Sequence, residues 1–340
     1  MAHKILIIHT GGTIGMQASP EGYIPVSGFE TLIRERLAHS HHAALPEFDM
    51  LELSPLIDSA NLNPEHWNQI AQILQAHYRQ YQGFVILHGT DTMAYSASML
   101  SYLMQGLDKP VIFTGSQIPL SELRNDALDN LITALILAAF HPVNEVCVYF
   151  NGRLLRGNRS SKVKATGLDA FDSPNYPWLG QIGLHIELHS HLFLASADGP
   201  RFSNPGFAAN AVAVLPIYPG IGRETAEAVC NIPGIHAVIL RSYGVGNLPD
   251  SNKDFIETLH SASRHNILLV NSSQCLQADV FQGQYACSSI LNQIGVLSAG
   301  EMTLEAVYTK LHFLLATCDN MSEVKERFMF AIAGERSGSR

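Results

Sequence analysis

The strongest constraint in the sequence is a rhythm. Short unbroken runs of aliphatic residues alternate with stretches of helical periodicity, and each run ends in glycine and hydroxyl residues. Ile5-Leu6-Ile7-Ile8 passes through His9 into Thr10-Gly11-Gly12-Thr13-Ile14-Gly15. A strand covered on both faces reads as a continuous apolar run, whereas a strand with one wet face alternates. The runs at 5–9, 50–53, 84–88, 111–114 and 146–150 are therefore expected to be strands of a buried parallel sheet. Between the second and third, Asn63 suits a helix N-cap and Pro64 the first helical position, ahead of an apolar stripe of Ile70, Ile73, Leu74 and Tyr78. Two more helices are expected over 96–104 and 126–140.

The rhythm breaks at about 190–212, where Asp198-Gly199-Pro200 and Ser203-Asn204-Pro205-Gly206 read as a linker, and it then resumes. Strands are expected at 212–217, 237–240 and 267–271, and closing helices at 303–316 and 322–333. The expected fold is α/β: a larger N-terminal parallel-sheet domain (1–190), a linker (191–211) and a smaller C-terminal α/β domain (212–340). The 340 residues suffice for two such cores. Charged residues make up 15% and hydrophobic residues 46%, which excludes a disordered chain.

The net charge of -9 and the lack of a long Lys/Arg cluster argue against a nucleic-acid or anionic-membrane surface. No apolar run approaches the roughly 20 residues that span a bilayer. The chain enters its first strand too early for a signal peptide, and its five scattered cysteines include no C-x-x-C pair. These features predict reduced thiols and a cytoplasmic protein.

Ligands of open parallel sheets sit beyond the carboxyl ends of the strands. Here that edge carries Thr10–Gly15, Leu56-Ile57-Asp58-Ser59-Ala60, His88-Gly89-Thr90-Asp91-Thr92, Gly115-Ser116-Gln117 and Asn158-Arg159-Ser160-Ser161-Lys162. Any one of these is explained by turns and helix caps, but together they gather hydroxyls, carboxylates, a lysine and glycines on one rim. The first loop lacks the G-x-G spacing of a dinucleotide fingerprint and the Gly-Lys-Ser/Thr of a P-loop. What remains is a threonine on a tight glycine turn, with backbone N–H groups able to face an oxyanion. A threonine hydroxyl needs a base to become a nucleophile, and the rim offers Lys162 and Asp91 beside a second threonine, Thr90. Burial would favour a neutral lysine and an adjacent aspartate a charged one, so the sequence leaves that balance open.

Thr10–Gly15 and His88–Thr92 together resemble the two signatures of bacterial-type L-asparaginases, and Lys162 after Ser160-Ser161 matches that family's catalytic lysine. The similarity extends over almost the whole chain. Gly22-Tyr23-Ile24-Pro25-Val26-Ser27, Thr114–Pro119 and Arg241-Ser242-Tyr243-Gly244-Val245-Gly246-Asn247 are similar to the type I, cytoplasmic branch. The resemblance implies an amidohydrolase that converts L-asparagine to L-aspartate and ammonia with no metal or cofactor. It implies Thr13 as the nucleophile of a β-acyl-enzyme, with Tyr23 on a mobile loop helping to remove its proton. Thr90, Lys162 and Asp91 would form a second triad. Ser59 would hold the substrate α-carboxylate, flanked by Asp58 and Ala60, and Asp91 would pair with the α-ammonium. Several members active on glutamine carry Gln after the binding serine, so Ala60 implies weak glutaminase activity. The family further implies a homotetramer, a dimer of dimers, in which Asn247 is the candidate contribution to a neighbour's site. Arg241 and Cys275 match residues of the type I branch, some members of which respond cooperatively to asparagine, although a salt-bridged arginine and a buried thiol are the plainer reading.

His185, Glu187 and His189 alternate with Leu184, Ile186 and Leu188, which describes a half-exposed strand better than a metal site. His39, His41 and His42 are expected in a surface loop. Three other readings compete with the amidohydrolase. The amidase subunit of a tRNA-dependent amidotransferase would carry a domain ahead of the glycine motif. An N-terminal-threonine hydrolase would be cleaved at Gly12-Thr13 or Gly89-Thr90. A non-catalytic amino-acid-binding protein would have no use for Lys162.

Overall fold

The computed structural model describes residues 4–20, 22–25, 28–38, 45–195, 199–281 and 286–338. His39, His41 and His42, residues 26 and 27 of the expected Tyr23 loop, and the side chain of Cys287 lie outside them. The chain divides into two compact units, Met1–Asn204 and Pro205–Arg340.

The apolar runs are strands for the reason their composition predicts. Ile5, Ile7 and Ile8 of Lys4–His9, all of Phe84 to Leu87, and Val111 to Phe113 are sealed from solvent on both sheet faces. Five of the first unit's strands run parallel, in the spatial order Glu47–Glu52, Lys4–His9, Gly83–Leu87, Val111–Thr114, Val146–Phe150. Relative to chain order this is 2-1-3-4-5, and the direction of winding reverses between Lys4–His9 and Gly83–Leu87. Such a reversal opens a crevice above the carboxyl ends of the two flanking strands. Those ends carry Thr10–Thr13 and His88–Asp91.

Three antiparallel strands, Arg153–Arg156, Gly180–Ile182 and Ile186–Leu188, extend the sheet beyond Val146–Phe150. Ile186–Leu188 accounts for the alternation around Glu187, and His189 Nδ1 lies 2.8 Å from the Trp178 carbonyl oxygen. Helices Pro64–His77, Met93–Leu103 and Ala127–Phe140 connect the parallel strands. Asn63 Oδ1 caps the first by accepting from the Glu65 amide at 3.0 Å. Residues 191–195 and 199–204 cluster with the first unit, where Arg201–Phe202 pairs with Met104–Gln105.

The second unit has four parallel strands in chain order: Val212–Pro216, Ala237–Ser242, Leu268–Ser273 and Leu297–Ser298. Three helices absent from the sequence expectation, Arg223–Cys230, Lys253–Arg264 and Ala286–Ile294, pack in its core through Ala226, Cys230, Phe255, Leu259, Leu291 and Ile294. The last helix, expected to continue to 333, ends at Phe328. Beyond it the chain folds back, because the buried Lys310 ammonium donates to the carbonyls of Phe328 (2.9 Å) and Phe330 (2.6 Å) and pairs with the equally buried Glu335 at 2.6 Å. Among the described residues, no helix is long and apolar enough to cross a membrane.

Candidate active site

The rim is assembled by contacts too close for side chains. Gly11 and Gly12 have φ of +129° and +91°, a region that glycine alone enters without strain. A Cβ on Gly12 would lie 2.4 Å from both the Cα and N of Gly89, and one on Gly89 would lie 2.4 Å from Ser59 Oγ. The first glycine loop and the Thr90 loop are therefore stacked backbone against backbone, and the Ser59 side chain packs directly on Gly89. Hydrogen bonds complete the assembly: Thr10 Oγ1 donates to Leu87 O (2.8 Å), the Ile57 amide to Thr10 O (2.7 Å), and Thr92 Oγ1 to Ser59 O (2.8 Å).

Thr13 opens a short 3-10 turn, Thr13–Gly15, directly after Gly12. His9 lies beneath it, so that a Cβ on Gly15 would meet His9 Nε2 at 2.6 Å, and its ring packs against Phe29 with centroids 4.7 Å apart and planes tilted by 37°. Among the described residues, neither His9 ring nitrogen has a hydrogen-bond partner, and burial pushes its pKa down to about 4.

Across the crevice, Lys162 Nζ donates to Thr90 Oγ1 at 2.8 Å and to Asp91 Oδ1 at 2.7 Å. Thr90 is buried, the Lys162 side chain is 20% exposed and that of Asp91 62%, so the trio runs from the protein interior out to the rim. Lys162 reaches this point from the two-residue strand Ser161–Lys162, which follows a buried turn at Gly157–Arg159 and pairs with Phe171–Asp172. Ahead of the trio, burial lowers the pKa of His88 to about 4 and keeps the ring neutral. Its Nδ1 lies 2.8 Å from Gly89 O, an acceptor, so Nδ1 carries the proton and Nε2 accepts from Ser96 Oγ at 2.9 Å. Ser96 in turn accepts from Trp67 Nε1 at 3.2 Å. This chain holds the Gly89 carbonyl from behind.

Asp58, beside Ser59, caps a turn. Its carboxylate accepts from the Ala60 amide at 3.1 Å and from Asn61 Nδ2 at 3.3 Å, and it opens the turn Ser59–Asn61. Ser59 is buried and Ala60 is exposed. Tyr23 lies on an antiparallel hairpin, Met16–Ser19 with Gly22–Pro25, and is 50% exposed. Its hydroxyl donates to Glu122 Oε1 at 3.0 Å, and that bond raises the phenol pKa.

The sequence placed Gln117 on this rim without giving it a role, and it did not single out Glu122. Glu122 holds Tyr23, and Gln117 joins Thr90 to the loop after Lys162. Only the position of Gln117 at a strand end signalled it. In the second unit, Arg241 donates to Ser272 Oγ (3.2 Å) and Gln274 O (3.3 Å), close in sequence to the exposed Cys275. Asn247 closes a tight turn by backbone pairing with Tyr243.

Residues 4–193 match the family model "Asparaginase, N-terminal", and residues 211–328 match "Glutaminase/Asparaginase C-terminal domain". The chain belongs to the asparaginase family. It is 45% identical to L-asparaginase 1 of Escherichia coli over 332 residues, 98% of this chain and 97% of that one. The solved structure of L-asparaginase I from Vibrio cholerae matches at 40% identity with a TM-score of 0.90, covering 99% of this chain and 100% of the other. That of the thermostable L-asparaginase from Thermococcus kodakarensis matches at 30% identity with a TM-score of 0.89, with the same coverage. The asparaginase fold thus accounts for both units.

Proposed function

We propose that the protein hydrolyses L-asparagine to L-aspartate and ammonia through a threonine ester. Thr13 Oγ attacks the β-carboxamide carbon, ammonia leaves with the proton released from Thr13, and water then cleaves the ester. Thr90, Lys162 and Asp91 steer protons in this scheme, and Ser59 and Asp91 hold the α-carboxylate and α-ammonium. Tyr23 assists Thr13 after its hydroxyl leaves Glu122. Asp58 supports Ser59 from behind by capping its turn, while Ala60 contributes only backbone, which favours asparagine over glutamine. No step of the scheme uses a metal or cofactor.

The observation that carries this reading is the ammonium of Lys162 within 2.8 Å of a buried threonine hydroxyl, one backbone contact away from the Thr13 turn. A protein that only bound amino acids would need Ser59 and Asp91 but no amine on a threonine. We further infer a cytoplasmic homotetramer to which Asn247 contributes and in which Arg241 and Cys275 line a regulatory site. These inferences rest on the family resemblance and are open to sedimentation and kinetic tests.

Ammonia release from L-asparagine and L-glutamine by wild type, Thr13→Ala and Thr90→Val tests the scheme. Asparagine should turn over far faster than glutamine, and each variant should lose roughly three or more orders of magnitude. Full activity in Thr13→Ala would remove it as nucleophile.

A further inference from the structure

Gln117 follows the strand Val111–Thr114 and is fixed at both ends. Its backbone N–H lies 3.0 Å from the Asp126 carboxylate, which also accepts from the Ile118 amide at 2.9 Å. Its Nε2 lies 2.9 Å from Ala165 O and 3.1 Å from Gly167 O. Both carbonyls are acceptors, so the amide NH2 must face them and Oε1 must face away. Oε1 then stands 3.3 Å from Thr90 Oγ1. A carboxamide oxygen cannot donate, so Thr90 gives it the hydroxyl proton. The distance is long for an O–H···O bond, so the contact orients that proton more than it binds it.

A hydroxyl has one proton and two lone pairs. The proton of Thr90 is directed at Gln117, and one lone pair accepts from Lys162. The second lone pair is what Thr90 has left to offer a reactant. We infer that Gln117 is a positioning residue that sets the polarity of Thr90, so that Thr90 meets an incoming hydroxyl or water as a hydrogen-bond acceptor and not as a donor. This rests on the reading of Thr90 and Lys162 as the proton-handling pair. Gln117 has a second effect through the same amide. By tying Ala165 and Gly167, it holds the loop that follows Lys162 against the Thr90 side of the crevice.

Two variants separate these roles. Gln117→Met keeps the length of the side chain and removes both hydrogen-bonding ends. It should lower kcat on the order of 10²-fold with KM held within about threefold. Gln117→Glu reproduces the carboxamide only when protonated, when its O–H can replace the NH2 and its C=O still faces Thr90. As a carboxylate it would repel the carbonyls of Ala165 and Gly167. Its activity relative to wild type should therefore rise at least tenfold as the pH falls from 8 to 5. The charged groups around that position are Lys162, Asp91, Asp126 and the Lys164–Asp169 ion pair; their own titration is common to both proteins, while their field on the introduced carboxyl sets where in that range it takes up its proton.

If Gln117→Met keeps kcat within about threefold while Thr90→Val is inactive, the inference fails and the reading of the site survives. If Thr90→Val is itself active, that reading fails first. A Gln117→Met enzyme whose losses in kcat and KM merely follow a lowered melting temperature, with a pH-independent Gln117→Glu ratio, would reduce Gln117 to a loop tether and overturn the inference.

Discussion

Acidification should unfold this protein through three imidazoles, and the size of the effect follows from their burial. His9, His88 and His312 are each pushed by burial from an ordinary 6.5 down to about 4. Between those values the unfolded chain binds protons that the folded chain refuses, so stability falls as pH falls. Integrating that difference from pH 7 to pH 5 gives about 2 kcal/mol per ring. His9 and His88 belong to the first unit and His312 to the second. The first unit should therefore lose about 4 kcal/mol and the second about 2 kcal/mol, against a typical domain stability of about 5–15 kcal/mol. Urea unfolding at pH 7, 6 and 5 measures the slope, and His9→Leu isolates one ring. The absolute stability of the variant depends on how Phe29 and Gly15 repack. Its stability difference between pH 7 and 5 should nevertheless be smaller than that of wild type by about 2 kcal/mol. An unchanged slope in His9→Leu would refute the claim that this ring is held neutral beneath the Thr13 turn.

Lys310→Met would strand the buried charge of Glu335 and should destabilise the second unit by about 3–5 kcal/mol, read as a lower urea midpoint. Ser96→Ala removes the donor to His88 Nε2 and should cost about 1–3 kcal/mol in a thermal melt. Gly12→Ala would drive a methyl into Gly89 and should lower kcat/KM by about 10²-fold or more, since displacing a reacting group by an ångström has that effect. Gly22→Ala, where an added Cβ meets nothing within 4 Å among the described residues, should cost only backbone strain of about 1–3 kcal/mol and spare most activity.

The parallel strands were legible because burial on both faces leaves an unbroken apolar run. Of the antiparallel strands, Ile186–Leu188 showed as alternation, whereas Arg153–Arg156 and Gly180–Ile182 did not, since they are short and carry arginine and glutamine. The helix Lys253–Arg264 did leave a signal, an Asn252 cap ahead of Phe255, Ile256, Leu259 and Ala262, yet the expectation passed over it. The 2-1-3-4-5 order, which puts the two glycine motifs on either side of one crevice, is a tertiary property that local periodicity does not carry. The overlong final helix has a similar cause. Its end is set by Lys310, 18 residues earlier, whose ammonium takes the carbonyl of Phe328. At the site, the motifs exposed Thr13, Thr90, Asp91 and Lys162 as candidates. The role of Gln117 stayed hidden because its contacts lie 27, 48 and 50 residues away in the chain.

The stacking of Gly12 on Gly89 and of Gly89 on Ser59 also bears on how such a catalyst can be redesigned. No side chain fits between these loops, so a mutant library directed at the glycines would return mostly inactive clones. Variation in substrate range has to enter at the margin of the pocket, where Ala60, Tyr23 and Glu122 face outward and can change size or charge. The protein thus carries an inflexible reaction centre within an editable perimeter.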